Sequence, residues 1–264
     1  MHGTMTQRAL LPFVLACACF FAGCATGPNP RDPYEGFNRK VFKFNEAVDK
    51  VVLKPVAKGY TKVLPQFVRS GVTHFFSNVA MVVTTFNDAI QLKGEKVPVD
   101  IARFFTNVTF GIFGLIDVAT ELQIEHRNED FGQSLGYWGV GSGPYIVLPF
   151  FGPSNARDAP GLAVDFVVSP FYYWEEEAGV EWGLLGLYIV NTRANLLPAE
   201  KVLDETGVER YTFLRDVYLQ RREYLIHDGN PPVADTGGRP KSLLELEKED
   251  MEDEPPSPAK QEKP

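Results

Sequence analysis

The chain has 264 residues, 44% hydrophobic and 23% charged, a balance that fits one large globular domain and not a disordered polymer. Its 26 basic and 34 acidic residues leave a formal charge of −8, which argues against a basic surface for nucleic acid, and three cysteines exclude a disulfide scaffold. Phenylalanine reaches 20 residues, more than the core of a chain this size needs.

Residues 1–23 read as an export signal. Arg8 supplies a basic start, and the apolar stretch 9–22 is shorter than the roughly 20 residues that span a bilayer. The stretch closes on Phe21-Ala22-Gly23-Cys24, which resembles a bacterial lipobox with Cys24 as the acylated residue. An ordinary secretory signal cut near Ala22 is the alternative. Ala25, where inner-membrane lipoproteins often carry Asp, implies by resemblance sorting to the outer membrane. Residues 24–33 form a Pro/Gly/Asn tether.

Beyond the tether the pattern turns helical. Phe37, Val41, Phe44, Val48 and Val51 recur at steps of four and three, which predicts a first helix that Pro55 ends or kinks. Pro65 closes a short second one. A third helix is predicted over 66–92 with a wide apolar face and Gly94 as its stop. The fourth, over 99–119, is apolar almost all round and is therefore expected to be buried or in lipid, with Gly111 and Gly114 loosening it. Residues 131–153 hold six glycines and three prolines and predict an ordered loop, with a short strand at most at Tyr145–Leu148. Later helices are expected at 157–168, 179–196 and 211–226, and a disordered charged tail at 230–264. The fold class is mainly α, with no long apolar helix in the mature chain to cross a bilayer.

Little in the sequence assembles a catalytic site. His74, His126 and His227 lack metal-ligand spacing, and Ser134 does not sit in a nucleophile elbow. Gly139-Val140-Gly141-Ser142-Gly143 lacks the third-glycine spacing and the leading apolar strand of a dinucleotide loop. No enzyme activity, metal or cofactor is expected.

Several longer motifs stand in order. They are Asp32-Pro33-Tyr34-Glu35-Gly36-Phe37-Asn38-Arg39, Val68-Arg69-Ser70-Gly71-Val72, Phe75-Phe76-Ser77-Asn78 and Arg103-Phe104 with Asn107. Phe110-Gly111-Ile112-Phe113-Gly114-Leu115-Ile116-Asp117 follows, then Glu129-Asp130-Phe131-Gly132-Gln133-Ser134-Leu135-Gly136, Trp138-Gly139-Val140-Gly141-Ser142-Gly143-Pro144-Tyr145 and Leu148-Pro149-Phe150-Phe151-Gly152-Pro153. With the closing Arg215-Asp216-Val217-Tyr218, this series resembles the VacJ/MlaA lipoprotein family over residues 32–229. The resemblance implies a Gram-negative outer-membrane lipoprotein, lipid-anchored on the periplasmic side, that maintains lipid asymmetry. Such proteins take mislocalised phospholipid from the outer leaflet and pass it to a soluble periplasmic carrier of the MlaC kind. The implied fold, residues 34–229, is a ring of amphipathic helices in the inner leaflet, enclosing a channel and held beside a porin trimer.

Within that expectation, the stretch 110–119 with Gly111, Phe113 and Gly114 is the candidate mobile or channel-facing element. Asn38, Asn107 and Asp117 are candidate polar wall residues, and Arg39, Arg69 and Arg103 are candidates to meet lipid phosphate. Gly139, Gly141 and Gly143 are candidates to leave room for the lipid. Caps, buried hydrogen-bond partners, ion pairs and tight turns are the plainer reading of the same residues. A scaffold or adhesion lipoprotein without a channel is the competing function.

Overall fold

The computed structural model describes residues 29–173 and 178–231; the signal segment, Cys24 and nearly all of the tail fall outside the described residues. Helix α1 (Glu35–Val48) runs through a π-helical turn (Asp49–Leu53) into α2 (Lys54–Val63). Of the two outcomes expected at Pro55, an end or a kink, the end does not occur: the helical run continues past it, with the irregular turn just before it. An ordinary ladder would ask Pro55 for an N–H that it lacks. The wider turn, in which the Lys54 N–H reaches back to the Asp49 carbonyl, leaves Pro55 in the first turn of the next segment, where no N–H is needed.

Leu64 turns extended before Pro65, and α3 (Gln66–Ile90) starts there. It stops two residues earlier than predicted, because Leu92 takes a left-handed conformation (φ 59°) and the Lys93 N–H closes onto the Asp88 carbonyl at 3.0 Å. Helix α4 (Val97–Phe110) ends at Gly111, nine residues before the predicted end, and a short α5 (Val118–Glu121) follows a tight loop. The glycine-rich block also departs from the expected loop. Phe131–Tyr137 forms a seven-residue α6, capped by the Asp130 carboxylate, which accepts from the Gln133 N–H. A side chain at Gly161 would sit 2.8 Å from the Gly132 backbone nitrogen, so glycine permits α6 to touch the following helix backbone to backbone. The strand expected at Tyr145–Leu148 exists as β1 and pairs antiparallel with β2 (Gly152–Asn155), Tyr145 opposite Asn155. Then come α7 (Asp158–Val168), a 3-10 turn (Pro170–Tyr173), α8 (Ala178–Thr206, with Pro198 inside it) and α9 (Arg210–Ile226). The architecture is mainly helical, as expected.

The distribution of side chains is inverted. Among the described residues, the buried set holds 21 polar or charged residues against ten apolar ones, while 38 large hydrophobic side chains are exposed. Eleven phenylalanines lie exposed and only Phe76 is buried among those described. The small apolar core gathers Tyr145, Val147 and Tyr211, with Val41, Phe42, Tyr218 and Leu219 around it. Elsewhere the interior is stitched by polar groups, which is tolerable only where they are bonded. Ser134 donates to Asn87 at 2.8 Å, and Gln91 donates to Glu129 and Ser134, both at 3.0 Å. Arg222 grips both oxygens of Asp130 and pairs with Asp158 at 2.7 Å, tying α9 to α6 and α7. Among the described residues no helix is long and apolar enough to cross a membrane.

Candidate functional site

The end of α4 is folded into a knot. The Gly111 and Gly114 N–H groups both donate to the Asn107 carbonyl, at 3.0 and 2.9 Å, and Ile116 N–H donates to the Gly111 carbonyl at 2.9 Å. A side chain on Gly111 would fall 2.1 Å from the Ile116 oxygen, and one on Gly114 (φ 85°) would fall 2.9 Å from Asn78. Ile112 (φ 51°) and Phe113 (φ 55°) occupy the left-handed region, where a branched or bulky residue is strained. Beneath the loop, Arg103 is 2% exposed and donates to both Asp117 oxygens at 2.8 and 2.7 Å and to Thr120 Oγ1 at 2.8 Å. Asn107 donates to Asp117 at 3.1 Å and accepts from the Ala119 N–H at 2.8 Å. Burial pushes the Asp117 carboxyl up, but hydrogen bonds from Thr120 and Asn107 and the charge of Arg103 outweigh it and hold the group below its usual range. The knot holds an apolar tip outward: Phe110, Ile112, Phe113, Leu115 and Ile116 are all exposed. Six sequence candidates thus meet here, namely Arg103, Asn107, Gly111, Phe113, Gly114 and Asp117.

Against this loop the first turns of α3 leave a cleft of about 550 Å³. Gln66, Ser70 and His74 line it together with Phe67, Gly71, Leu115 and Ile116. The three polar residues are four apart and share one face of the helix. Sequence reasoning passed over them; the signal was a polar residue at every fourth position within an apolar stretch.

The remaining candidates lie elsewhere. Asn38 is fully buried and clasps α1 to β1: its amide donates to Asp32 at 2.8 Å and to the Tyr145 carbonyl at 3.0 Å, and its oxygen accepts from the Val147 N–H at 2.9 Å. Arg39 pairs with Glu35 at 2.7 Å and with Glu209 at 3.1 Å, and lies over the Tyr211 ring. Arg69 donates to the Leu64 carbonyl at 3.2 Å. Gly139 (φ 86°) and Gly143 (φ 63°) take left-handed turns between α6 and β1, and open space surrounds the position where Gly141 would carry a side chain. None of these six residues lines the cleft. Cys24 lies outside the described residues.

The family model described as "MlaA lipoprotein" matches residues 30–225. The chain belongs to the MlaA lipoprotein family. It is 33% identical to the Haemophilus influenzae "Intermembrane phospholipid transport system lipoprotein MlaA" over 85% of its own length and 93% of the relative's. The Escherichia coli K12 protein of the same name is 33% identical over 78% and 84% of the two chains. An uncharacterized Rickettsia typhi protein is 34% identical over 73% and 76%. A solved chain from work on the structural basis for maintenance of bacterial outer membrane lipid asymmetry superposes with a TM-score of 0.63 at 31% identity, covering 74% of this chain and 98% of that one.

One further concavity in this MlaA family member is built from charge. About 420 Å³ is enclosed by the π-helical turn, Lys54, Glu200 and Arg210. Glu200 collects Lys54 at 2.9 Å, Arg193 at 2.6 Å and Arg210 at 3.1 Å. Burial opposes ionisation of Glu200, yet the hydrogen bonds from Arg193 and Lys54 prevail and bring its carboxyl down to about 2. Among the described residues no group of three or more His, Cys, Asp or Glu side chains is arranged to hold a metal.

Proposed function

We propose that this protein is an outer-membrane lipoprotein, tethered through acylated Cys24, that takes mislocalised phospholipid from the outer leaflet and passes it to a soluble periplasmic carrier. In this reading its helices lie in the inner leaflet, beside a porin trimer, and enclose an amphipathic path. The observation that carries the reading is the inverted surface, with 38 large hydrophobic side chains outward and a mostly polar interior. Apolar surface costs about 25 cal/mol per Å² in water and nothing comparable against acyl chains. Helices lying in the plane of one leaflet satisfy their own backbone bonds, so no spanning helix is required. The names of the Haemophilus and Escherichia relatives point the same way.

Physical chemistry sets what such a protein must do. A charged headgroup resists hydrocarbon because its hydration has to be replaced. A path with one polar wall lowers that barrier without making or breaking a bond, so no nucleophile or general base is required. Direction then comes from partners or from the lipid gradient. The competing scaffold reading leaves the amphipathic cleft beside α3 without a use. A strain deleted for this gene is the test. Exposure of phospholipid on the cell surface and sensitivity to detergent, both reversed by the wild-type chain, are expected, and an intact barrier would overturn the reading.

A further inference from the structure

We infer that the cleft between α3 and the 111–117 loop is a subsite for the phosphate–glycerol portion of one diacyl phospholipid, with Ser70 and His74 as its hydrogen-bonding wall. The inference rests on the transport reading above and locates where along this chain the lipid is held.

Four observations point there. The lining is divided, polar along Gln66, Ser70 and His74 and apolar along Phe67, Leu115 and Ile116. Such a division suits a ligand that is itself polar at one end and greasy at the other. His74, which lines the cleft, has a buried ring nitrogen, Nδ1, with no hydrogen-bond partner in the protein, an uncommon deficit for a buried polar atom. The volume, about 550 Å³, lies in the ordinary range for small-molecule clefts and is too small for two full acyl chains. Phe67, which lines the cleft and is 78% exposed, offers those chains an apolar surface that continues out of it.

The lining carries no lysine, arginine, aspartate or glutamate. Arg69, one position from Ser70, spends its Nε on the Leu64 carbonyl. Recognition is therefore by hydrogen bonds to the phosphate–glycerol part that all glycerophospholipids share, and the subsite is indifferent to the headgroup beyond it.

The test uses the full-length acylated protein in lipid nanodiscs. Two photoreactive phospholipids, one with an ethanolamine and one with a glycerol headgroup, each carry a diazirine on the first acyl carbons, and the crosslinked peptides are mapped by mass spectrometry. Crosslinks are expected within residues 66–74 and 111–116, equal within twofold for the two headgroups. Ser70→Trp, which fills the cleft, is expected to cut them at least fivefold. His74→Ala, which keeps the space and removes the polar group, is expected to cut them about threefold, and it carries the test should Ser70→Trp fail to fold. Crosslinks that map elsewhere on the chain and ignore both variants would overturn the subsite while leaving the transport reading in place. A tenfold headgroup preference would overturn it too. Crosslinking no stronger than that of an unrelated acylated protein would overturn both.

Discussion

Asp88 on α3 and Asp100 on α4 face each other with no exposure to solvent and too few donors between them. Arg127 Nη2 donates to Asp100 Oδ1 at 2.7 Å but stands 3.6 Å from Asp88. Both Asp88 oxygens and Asp100 Oδ2 have no donor. A proton on Asp88, given to Asp100, satisfies the pair. Burial first, and then the hydrogen bond to Asp100 and its charge, push the Asp88 carboxyl up to about 7, against the pull of Arg127 and with a smaller push from Glu129.

The sign of the pH effect follows. Between about pH 4 and 7 the folded chain keeps a proton on Asp88 that the unfolded chain has released, so this group lowers stability as pH rises through that window. Asp88→Asn keeps a donor towards Asp100 and removes the titration. The melting temperature of the variant should match wild type near pH 4 and exceed it by about 5 °C at pH 8. Asp165, raised by burial to about 6, titrates in the same window in both proteins, so the difference between them isolates Asp88. Parallel melting curves would dismiss the shared proton.

Asp117→Asn should unfasten the loop. It leaves the Arg103 guanidinium, 2% exposed, without its counter-charge, a loss that typically costs about 3–5 kcal/mol. Melting should fall by about 10 °C, and limited proteolysis should open new cuts in residues 110–117. A variant that melts and resists protease like wild type would show the ion pair to be dispensable.

Periodicity made the helices legible, because a stripe that faces lipid and a stripe that faces a core repeat alike. It could not tell which medium each stripe meets: Phe67 and Phe76 sit on one helix, one 78% and the other 6% exposed. Helix α6 was hidden because its glycines read as breakers, whereas Gly132 meets Asp158, Arg222 and Gly161 at close range. Strand β2, Gly-Pro-Ser-Asn, has no strand-forming residue and exists through its pairing with β1. In the candidate site, the residues of the knot stood close in sequence and could be named. The polar line on α3 could not, since its opposite wall comes from a loop some forty residues on, and Arg222 with Asp130 is separated by 92.

Two glycines of the block before β1 should behave differently. Gly141→Leu meets open space at an ordinary φ and should melt within about 2 °C of wild type. Gly143→Leu would put a bulky residue at φ 63° and a Cβ 2.9 Å from Ala156, and should cost about 1–3 kcal/mol. Equal melting of the two would remove the turn role of Gly143.

Membrane association should have two separable parts. Cys24→Ser should remove the acyl chains, read as loss of fatty-acid labelling and of the corresponding mass; labelling equal to wild type would refute acylation at Cys24. In that background, Phe113→Asp should weaken flotation with phosphatidylethanolamine–phosphatidylglycerol vesicles by at least tenfold, since burying one large apolar side chain is worth about 1.5–3 kcal/mol. Flotation indifferent to Phe113 would place the tip of the loop outside the lipid.

Having its greasy side chains already outward gives this molecule an unusual calorimetric character. The heat capacity gained on unfolding comes from newly wetted apolar surface and is reduced by newly wetted polar surface. Here the first is small and the second large, so in aqueous solution the increment should fall well below the usual ~12–15 cal/mol/K per residue. The stability curve would be broad and flat, with little penalty on cooling.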